Sequence, residues 1–321
     1  MTRRHGAGSG ARTKTAKAAA SRSEFQGARA PQGSERDARS KRPPLGAGLY
    51  VVATPIGNAA DIGLRALDVL AAADVVACED SRVTGKLLAI HGRRARLASY
   101  HEHNAQRVRP KLLARLDAGQ SVALVSDAGT PLVSDPGYKL VAEAAARGHE
   151  VRAVPGASAA LAALVVSGLP SDRFLFAGFL PARPAARRRA LAELAGIRAT
   201  LVLLESPRRL AAALADMAET LGPRPAAVAR EMTKRYEEVR RAGLVELARH
   251  YAQAGAPRGE VVVVVGPPRE TEADADELDT RLRAALEGRS LRDAAAEVAA
   301  ATGLSRRKVY ARAIALARGR R

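Results

Sequence analysis

The sequence predicts an α/β protein: two α/β domains with a cleft between them, followed by a small C-terminal helical domain of helix-turn-helix type. Three observations point there. Short apolar runs alternate with helical patterns from Leu49 to Val265. Those runs end in loops of Gly, Pro, Ser, Thr and Asp. Two helical patterns joined by Thr302-Gly303-Leu304-Ser305 close the chain.

The chain of 321 residues is long enough for two domains with appendages. Hydrophobic residues make up 47% of it but aromatics only 3%, with no tryptophan, so the core must be built from Ala, Val and Leu. No apolar run approaches the roughly 20 residues of a membrane helix. One cysteine, Cys78, excludes an internal disulfide and a cysteine-cluster metal site. Together with the lack of a secretory apolar segment, this predicts a reducing, cytoplasmic setting without membrane contact.

Residues 1–46 carry eleven Lys and Arg against three acids and almost no large apolar side chain before Leu45, which predicts a disordered basic tail. Its composition resembles a transit peptide but lacks the apolar face such a helix needs. Residues 281–321 carry the same eleven against three, so +3 of the total +19 is left for the body. Basic ends on a nearly balanced body predict a polyanionic partner such as a nucleic acid.

The first domain, expected over 47–168, begins with the strand Leu49–Ala53 and the helix Leu64–Ala72. It continues through the strand Val75–Cys78, a helix after Arg82, the strand Leu97–Tyr100 and the helix Val108–Leu116. The strand Ser121–Val125, the helix Tyr138–Ala146 and the strand Glu150–Val154 complete a parallel pattern. Ser158 is placed to N-cap a helix from Ala159. The second domain, expected over 169–268, runs Phe174–Gly178 (strand), Ala185–Leu194 (helix) and Thr200–Leu204 (strand). Ser206-Pro207 reads as an N-cap and first helical residue for Arg208–Thr220. Ala226–Arg230 (strand), Leu244–Tyr251 (helix) and the five-valine strand Glu260–Val265 follow. The acidic stretch 269–280 reads as a linker. Leu282–Leu286, Leu291–Ala300 and Arg306–Ala317 then form the helical domain over 281–321, with Ser305 as N-cap of the last helix.

In a parallel sheet the loops Thr54–Asn58, Glu79–Arg82, Ser126–Pro131 and Pro155–Ser158 share one edge, where open α/β folds bind ligands. Their small residues let a flat ligand lie against backbone while Asp and Ser orient its polar atoms, which suits a nucleoside-containing cofactor. No P-loop and no strand-embedded dinucleotide fingerprint is present. His101 and His103, two apart on an extended segment, could share a metal with Asp135 or Glu79. A polar patch at the strand edge is the commoner reading, so no metal is expected. Mixed charges at Glu205–Arg209 and Ala229–Glu238 terminate second-domain strands, and Arg187–Arg189 reads as an exposed helix face or a phosphate contact.

Nine segments in order carry a resemblance: Leu49–Asn58, Glu79–Arg82 with Leu87-Leu88, Tyr100–Asn104, Ser126–Gly137, Pro155–Ser158, Ser167–Pro170, Phe176–Pro181, Glu205–Arg209 and Ala229–Lys234. Over roughly 48–266 the chain resembles the bacterial small-subunit ribosomal RNA 2′-O-ribose cytidine methyltransferases of the tetrapyrrole methylase superfamily, and its C-terminal helices resemble their last domain. The resemblance implies a two-domain enzyme with an S-adenosylmethionine cofactor cleft between the domains. It implies methylation of a decoding-centre cytidine in small-subunit ribosomal RNA, and a homodimer. Carried over, the cofactor residues are Pro55, Gly129, Thr130, Pro131, Ser158, Ala159, Leu204 and Ala229. Arg208 departs from the His expected between Pro and Arg.

A hydroxyl is a poor nucleophile, so a nearby base would help its attack on a methyl group. Glu79, Asp80, His101, Glu102, Glu231 and Lys234 are candidates. Glu102, His103 and Lys234 are expected to be catalytic, with Arg82, His101 and Arg230 on the RNA substrate. Two alternatives stand beside this reading. One is a porphyrinoid C-methyltransferase on the same fold, against which stands Thr54-Pro55-Ile56-Gly57-Asn58 in place of a glycine-richer first loop. The other is a non-enzymatic nucleic-acid-binding regulator, against which the last helix offers no Asn or Gln to read adenine.

Overall fold

The computed structural model describes residues 45–133, 137–268, 272–302 and 304–318; the tail up to residue 44, Asp135 and Gly303 lie outside the described residues. In the first sheet, β1 (Gly48–Val52), β2 (Val75–Cys78), β3 (Leu97–Ser99), β4 (Ser121–Leu124) and β5 (Val151–Val154) lie in the order β3-β2-β4-β1-β5. Every pair is parallel. Side chains alternate between two buried faces. Tyr50, Val52, Val76, Cys78 and Ala123 meet Leu67 and Leu70 of α1 (Leu64–Ala72) and Leu88 of α2 (Ser81–Ile90). Leu49, Val75, Ala77, Val122 and Leu124 meet Leu112, Leu113 and Leu116 of α3 (Ala105–Asp117) and Leu140 of α4 (Tyr138–Ala146). Burial on both faces is why these strands read as continuous apolar runs.

The second sheet holds β6 (Phe174–Phe179), β7 (Thr200–Glu205), β8 (Pro225–Arg230), β9 (Glu238–Gly243) and β10 (Val261–Val265) in the order β6-β7-β10-β8-β9. Only β6 and β7 pair in parallel; the other ladders are antiparallel. Three helices, α6 (Pro184–Ala195), α7 (Leu210–Leu221) and α8 (Leu244–Ala254), cover the face of Leu201, Leu203, Val228, Val261, Val263 and Val265. The opposite face, Val202, Ala227, Ala229, Val262 and Val264, is covered by Ala160, Ala163 and Leu164 of α5 (Ala159–Ser167). Helix α5 ends where expected, at Gly168 with φ 75°, but it packs on the second sheet rather than on the first domain that precedes it.

Four further expectations are corrected. Residues 272–280, read as linker, belong to the helix α9 (Glu272–Ala285), because Leu278 and Leu282 one turn apart pack on Ala295, Val298 and Val309. Those partners lie on α10 (Leu291–Thr302) and α11 (Arg306–Arg318), so the C-terminal domain is a three-helix unit. Its buried Asp279 takes two hydrogen bonds from Arg312, at 2.7 and 2.6 Å, across the bundle. Strand β9 was unforeseen: its EVRRAG sequence is charged because it is an edge strand. Helix α7 starts at Leu210 rather than Arg208, since the preceding turn closes with three-residue bonds, the Arg209 N–H to the Ser206 carbonyl at 2.9 Å and the Leu210 N–H to the Pro207 carbonyl at 3.4 Å. Arg187 is buried rather than exposed, its guanidinium 2.6 Å from Asp216 of α7. No helix among the described residues is long and apolar enough to cross a membrane.

Candidate functional site

The carboxyl ends of the five parallel strands bring their loops to one edge, and hydrogen bonds weave three of these loops together. Thr54 and Gly129 exchange backbone bonds of 2.9 and 3.0 Å, and Thr54 Oγ1 donates to the Ser126 carbonyl at 3.1 Å. Thr130 Oγ1 donates to the Ala157 carbonyl at 3.0 Å, tying the β4 loop to the β5 loop. Gly129 has φ 77°, and a Cβ there would come within 3.3 Å of Ile56 Cγ2. The backbone thus favours glycine here, and the space beside Ile56 is tight. Pro55 and Pro131 are buried beneath this surface. Ser158 caps α5 by accepting the Leu161 N–H, so in this structure its side chain serves the helix.

From the second lobe, Leu204, Val262 and Ala229 form one row across β7, β10 and β8. They share an apolar cluster with Ile56, Ala157, Ala159 and Met232. The expected cofactor residues Ala159, Leu204 and Ala229 are thereby brought to the first-strand loop through Ile56, a residue that sequence reasoning did not single out. Its signal was its place between Pro55 and Gly57 in a loop otherwise poor in bulk. The result is an apolar wall packed beside the hydrogen-bonded, side-chain-poor loops.

The seam between the lobes is polar. The Asn58 N–H donates to Thr233 Oγ1 at 3.1 Å. Lys234 lies so close over Gly57 that a Cβ on the glycine would meet the lysine Cγ at 2.4 Å. Lys234 Nζ donates to Glu231 and Glu260, both at 2.8 Å. Glu231 and Thr233 hold φ of 50° and 64°, uncommon for residues with side chains. Strain of this kind persists only where the surroundings impose it. Burial pulls the Lys234 pKa down, but the two carboxylates offset that and leave it above its ordinary value. Lys234 is therefore a fixed cation at neutral pH and not a proton acceptor. The Lys234 ammonium likewise holds the Glu231 carboxyl below its usual range, which makes it a weak base.

The remaining expected residues divide. Arg82 and Asp80 pair at 2.6 Å with the arginine side chain 90% exposed, and Arg82 lowers the Asp80 pKa to about 2. Asp80 is thus a poor base as well. Its N–H is fixed by Asp127 Oδ1 at 3.0 Å. Arg230 is occupied inside the second lobe, donating to Glu238 at 2.9 and 3.2 Å and to the Arg258 carbonyl. The His101 and His103 rings stack edge to face at 6.0 Å, and His101 Nδ1 is buried without a partner among the described residues. Glu102 and His103 are exposed, and among the described residues no contact ties them to Lys234. No group of three His, Cys, Asp or Glu among the described residues is arranged to hold a metal.

Residues 48–248 match the family described as Tetrapyrrole (Corrin/Porphyrin) Methylases, and residues 272–317 match the RsmI C-terminal HTH domain. The Ribosomal RNA small subunit methyltransferase I of Mesorhizobium japonicum is 55% identical over 277 residues, covering 85% of this chain and 93% of that protein. The chain belongs to this methyltransferase I family of the tetrapyrrole methylases. Its relative of the same name in Escherichia coli O157:H7 is 44% identical over 265 residues, covering 82% and 93%. Among solved structures, a uroporphyrin-III-C-methyltransferase of Thermus thermophilus is 26% identical with a TM-score of 0.50, covering 68% of this chain and 94% of that one. A diphthine synthase shares the fold at 19% identity and a TM-score of 0.53, covering 71% and 93%. The family match spans the first sheet and β6 to β9 of the second, and the helical domain is matched separately.

Proposed function

We propose that the chain methylates the ribose 2′-hydroxyl of a decoding-centre cytidine in small-subunit ribosomal RNA, with S-adenosylmethionine as methyl donor. The observation that carries this is the 55% identity to a small-subunit methyltransferase over 85% of the chain, spanning the woven loops, the apolar wall and the Lys234 seam. The porphyrinoid alternative has only 26% identity behind it. The regulator alternative leaves the built cleft unexplained.

The cleft fits the cofactor. Gly129 and Gly156 let the loops pack backbone to backbone, a Cβ on Gly156 pressing on the Ala53 Cβ at 3.0 Å, so the strand ends present main-chain groups and little side-chain bulk to a ligand. The loops of Pro55, of Gly129, Thr130 and Pro131, and of Ser158 would hold the donor from one side through their main chain, with the segments of Ala159, Leu204 and Ala229 on the other. When bound, it supplies a methyl group on a sulfonium, which needs no metal or redox partner. The chain must align the ribose oxygen with that methyl, which accounts for much of the acceleration. It must also take the hydroxyl proton as the new oxygen–carbon bond forms. Asp80, Glu231 and Lys234 are committed to ion pairs, which leaves Glu79, His101, Glu102 and His103, and of these we assign the proton to Glu102 or His103. Lys234 stays charged and positions a phosphate or the ribose, Arg82 offers its open guanidinium to the backbone, and His101 lines the substrate side. Arg230 acts through its strand rather than by direct contact.

A homodimer and a cytoplasmic setting complete the proposal. The exposed apolar side chains Leu161, Val165, Phe174 and Phe179 support the first, and a ribosomal substrate the second. In the test, purified chain, unmethylated small subunits and labelled donor are combined, and the RNA is mapped by mass. A single ribose methyl on a decoding-centre cytidine is expected. Label on a base, or none in RNA, overturns the reading.

A further inference from the structure

The loop that seats Lys234 continues into Arg235, Tyr236 and Glu237, and its bracing exceeds what a connection between β8 and β9 requires. The Lys234 N–H donates to the Glu231 carbonyl at 3.0 Å and the Glu237 N–H to the Lys234 carbonyl at 3.2 Å. The Thr233 N–H donates to Glu237 Oε2 at 2.6 Å. Two residues with side chains sit at positive φ within it. This rigid loop holds Tyr236 out with 65% of its surface exposed, and the Arg235 guanidinium lies 5.6 Å from its ring centre. Of the exposed aromatics Tyr138, Phe174, Phe179, Tyr236 and Tyr310, Tyr236 alone among the described residues has an arginine over its ring. Burial does not explain Tyr236, and among the described residues neither does a hydrogen bond.

Its location does. Lys234 crosses Gly57 at the seam of the lobes, and a trans chain places the Tyr236 Cα within about 7.6 Å of the Lys234 Cα. Exposed aromatics flanked by arginine are stacking platforms for unpaired nucleobases, with the cation reinforcing the ring and contacting phosphate. A ribose whose 2′-hydroxyl must reach a cleft has to leave its helical stack, and its base or its neighbour's then needs a surface. We propose that Tyr236, backed by Arg235, is a stacking site for an unstacked base of the RNA substrate next to the methylated ribose. This deepens the proposed function and rests on it.

The test compares Tyr236→Ala, Tyr236→Phe and Arg235→Ala full-length chains with unmethylated small subunits, alongside binding of S-adenosylmethionine alone. Tyr236→Ala is expected to raise KM for the subunit ~10-fold and leave donor binding and thermal unfolding unchanged. Tyr236→Phe keeps the ring and remains near wild type, and Arg235→Ala falls between. An unchanged KM in Tyr236→Ala overturns the proposal. So does a Phe variant as impaired as the Ala variant, because the hydroxyl rather than the ring would then act. A wild-type chain that transfers no methyl to subunits would overturn the function itself, a result separate from these.

Discussion

The Lys234 side chain lies across Gly57, joining the two lobes at a point where the first has no side chain of its own. A Cβ at position 57 would meet Cγ, Cδ and Cε of the lysine at 2.4, 3.1 and 2.8 Å. Gly57→Ala therefore displaces the whole side chain rather than its tip. Methyl transfer to small subunits is expected to fall ~10- to 100-fold in kcat/KM, with donor affinity within about threefold of wild type. Steady-state kinetics and calorimetric donor binding check this, and full activity would exclude Lys234 from the mechanism.

Glu231 supports that lysine and carries a pH dependence. Its carboxyl is held below its ordinary 4.5, first by the Lys234 ammonium and then by the Glu260 N–H. A depressed carboxylate contributes stability that is complete above its unfolded pKa and lost as pH falls through its folded one. The loop is therefore expected to keep its protection above pH 4.5 and loosen below it. Hydrogen exchange at Thr233 and Lys234 reads this directly. Glu231→Gln should remove that acid-side dependence and cost about 1–2 kcal/mol of stability, since a charge-assisted bond to a partly buried partner is lost.

Gly129→Ala tests the woven loops. The substitution forces a side chain to φ 77° and towards Ile56. A loss of about 1–2 kcal/mol is expected from the backbone alone. Donor binding should weaken alongside it, because Thr54 pairs with this residue. Thermal unfolding and titration with the donor check both, and unchanged donor affinity would remove Gly129 from the cofactor site.

Cys78 is buried under α2, and desolvation pushes its thiol above the ordinary value. The native chain is expected to resist thiol reagents at neutral pH and to react fully once unfolded. Rapid native labelling would show that the first sheet opens readily.

The architecture was largely legible because both sheets are built from apolar runs closed by turn residues. Helices α1 and α4 and strand β2 have the bounds that their sequences suggested. Strand β9 was not legible, because Glu238, Arg240 and Arg241 give no apolar alternation; its pairing with Pro225–Arg230 decides its state. Helix α9 was hidden by its acidic composition, and only the contacts of Leu278 and Leu282 reveal it. The small-residue loops announced a site, but the bond from Asn58 to Thr233 joins residues 175 apart in sequence, beyond any local signal. Candidate bases could be named from the sequence but not sorted. Only the observed ion pairs show that Asp80, Glu231 and Lys234 are occupied.

Helix α5 is made before the sheet it covers. While the chain is being synthesised, Ala160, Ala163 and Leu164 emerge well ahead of their partners Ala227, Ala229 and Val262. The nascent first half thus carries an uncovered greasy segment until Val261–Val265 arrives. Cutting the gene at Gly168 to obtain the leading half would yield a fragment prone to clumping. A cut before Ala159 would not, since the first sheet's layers are already complete without that helix.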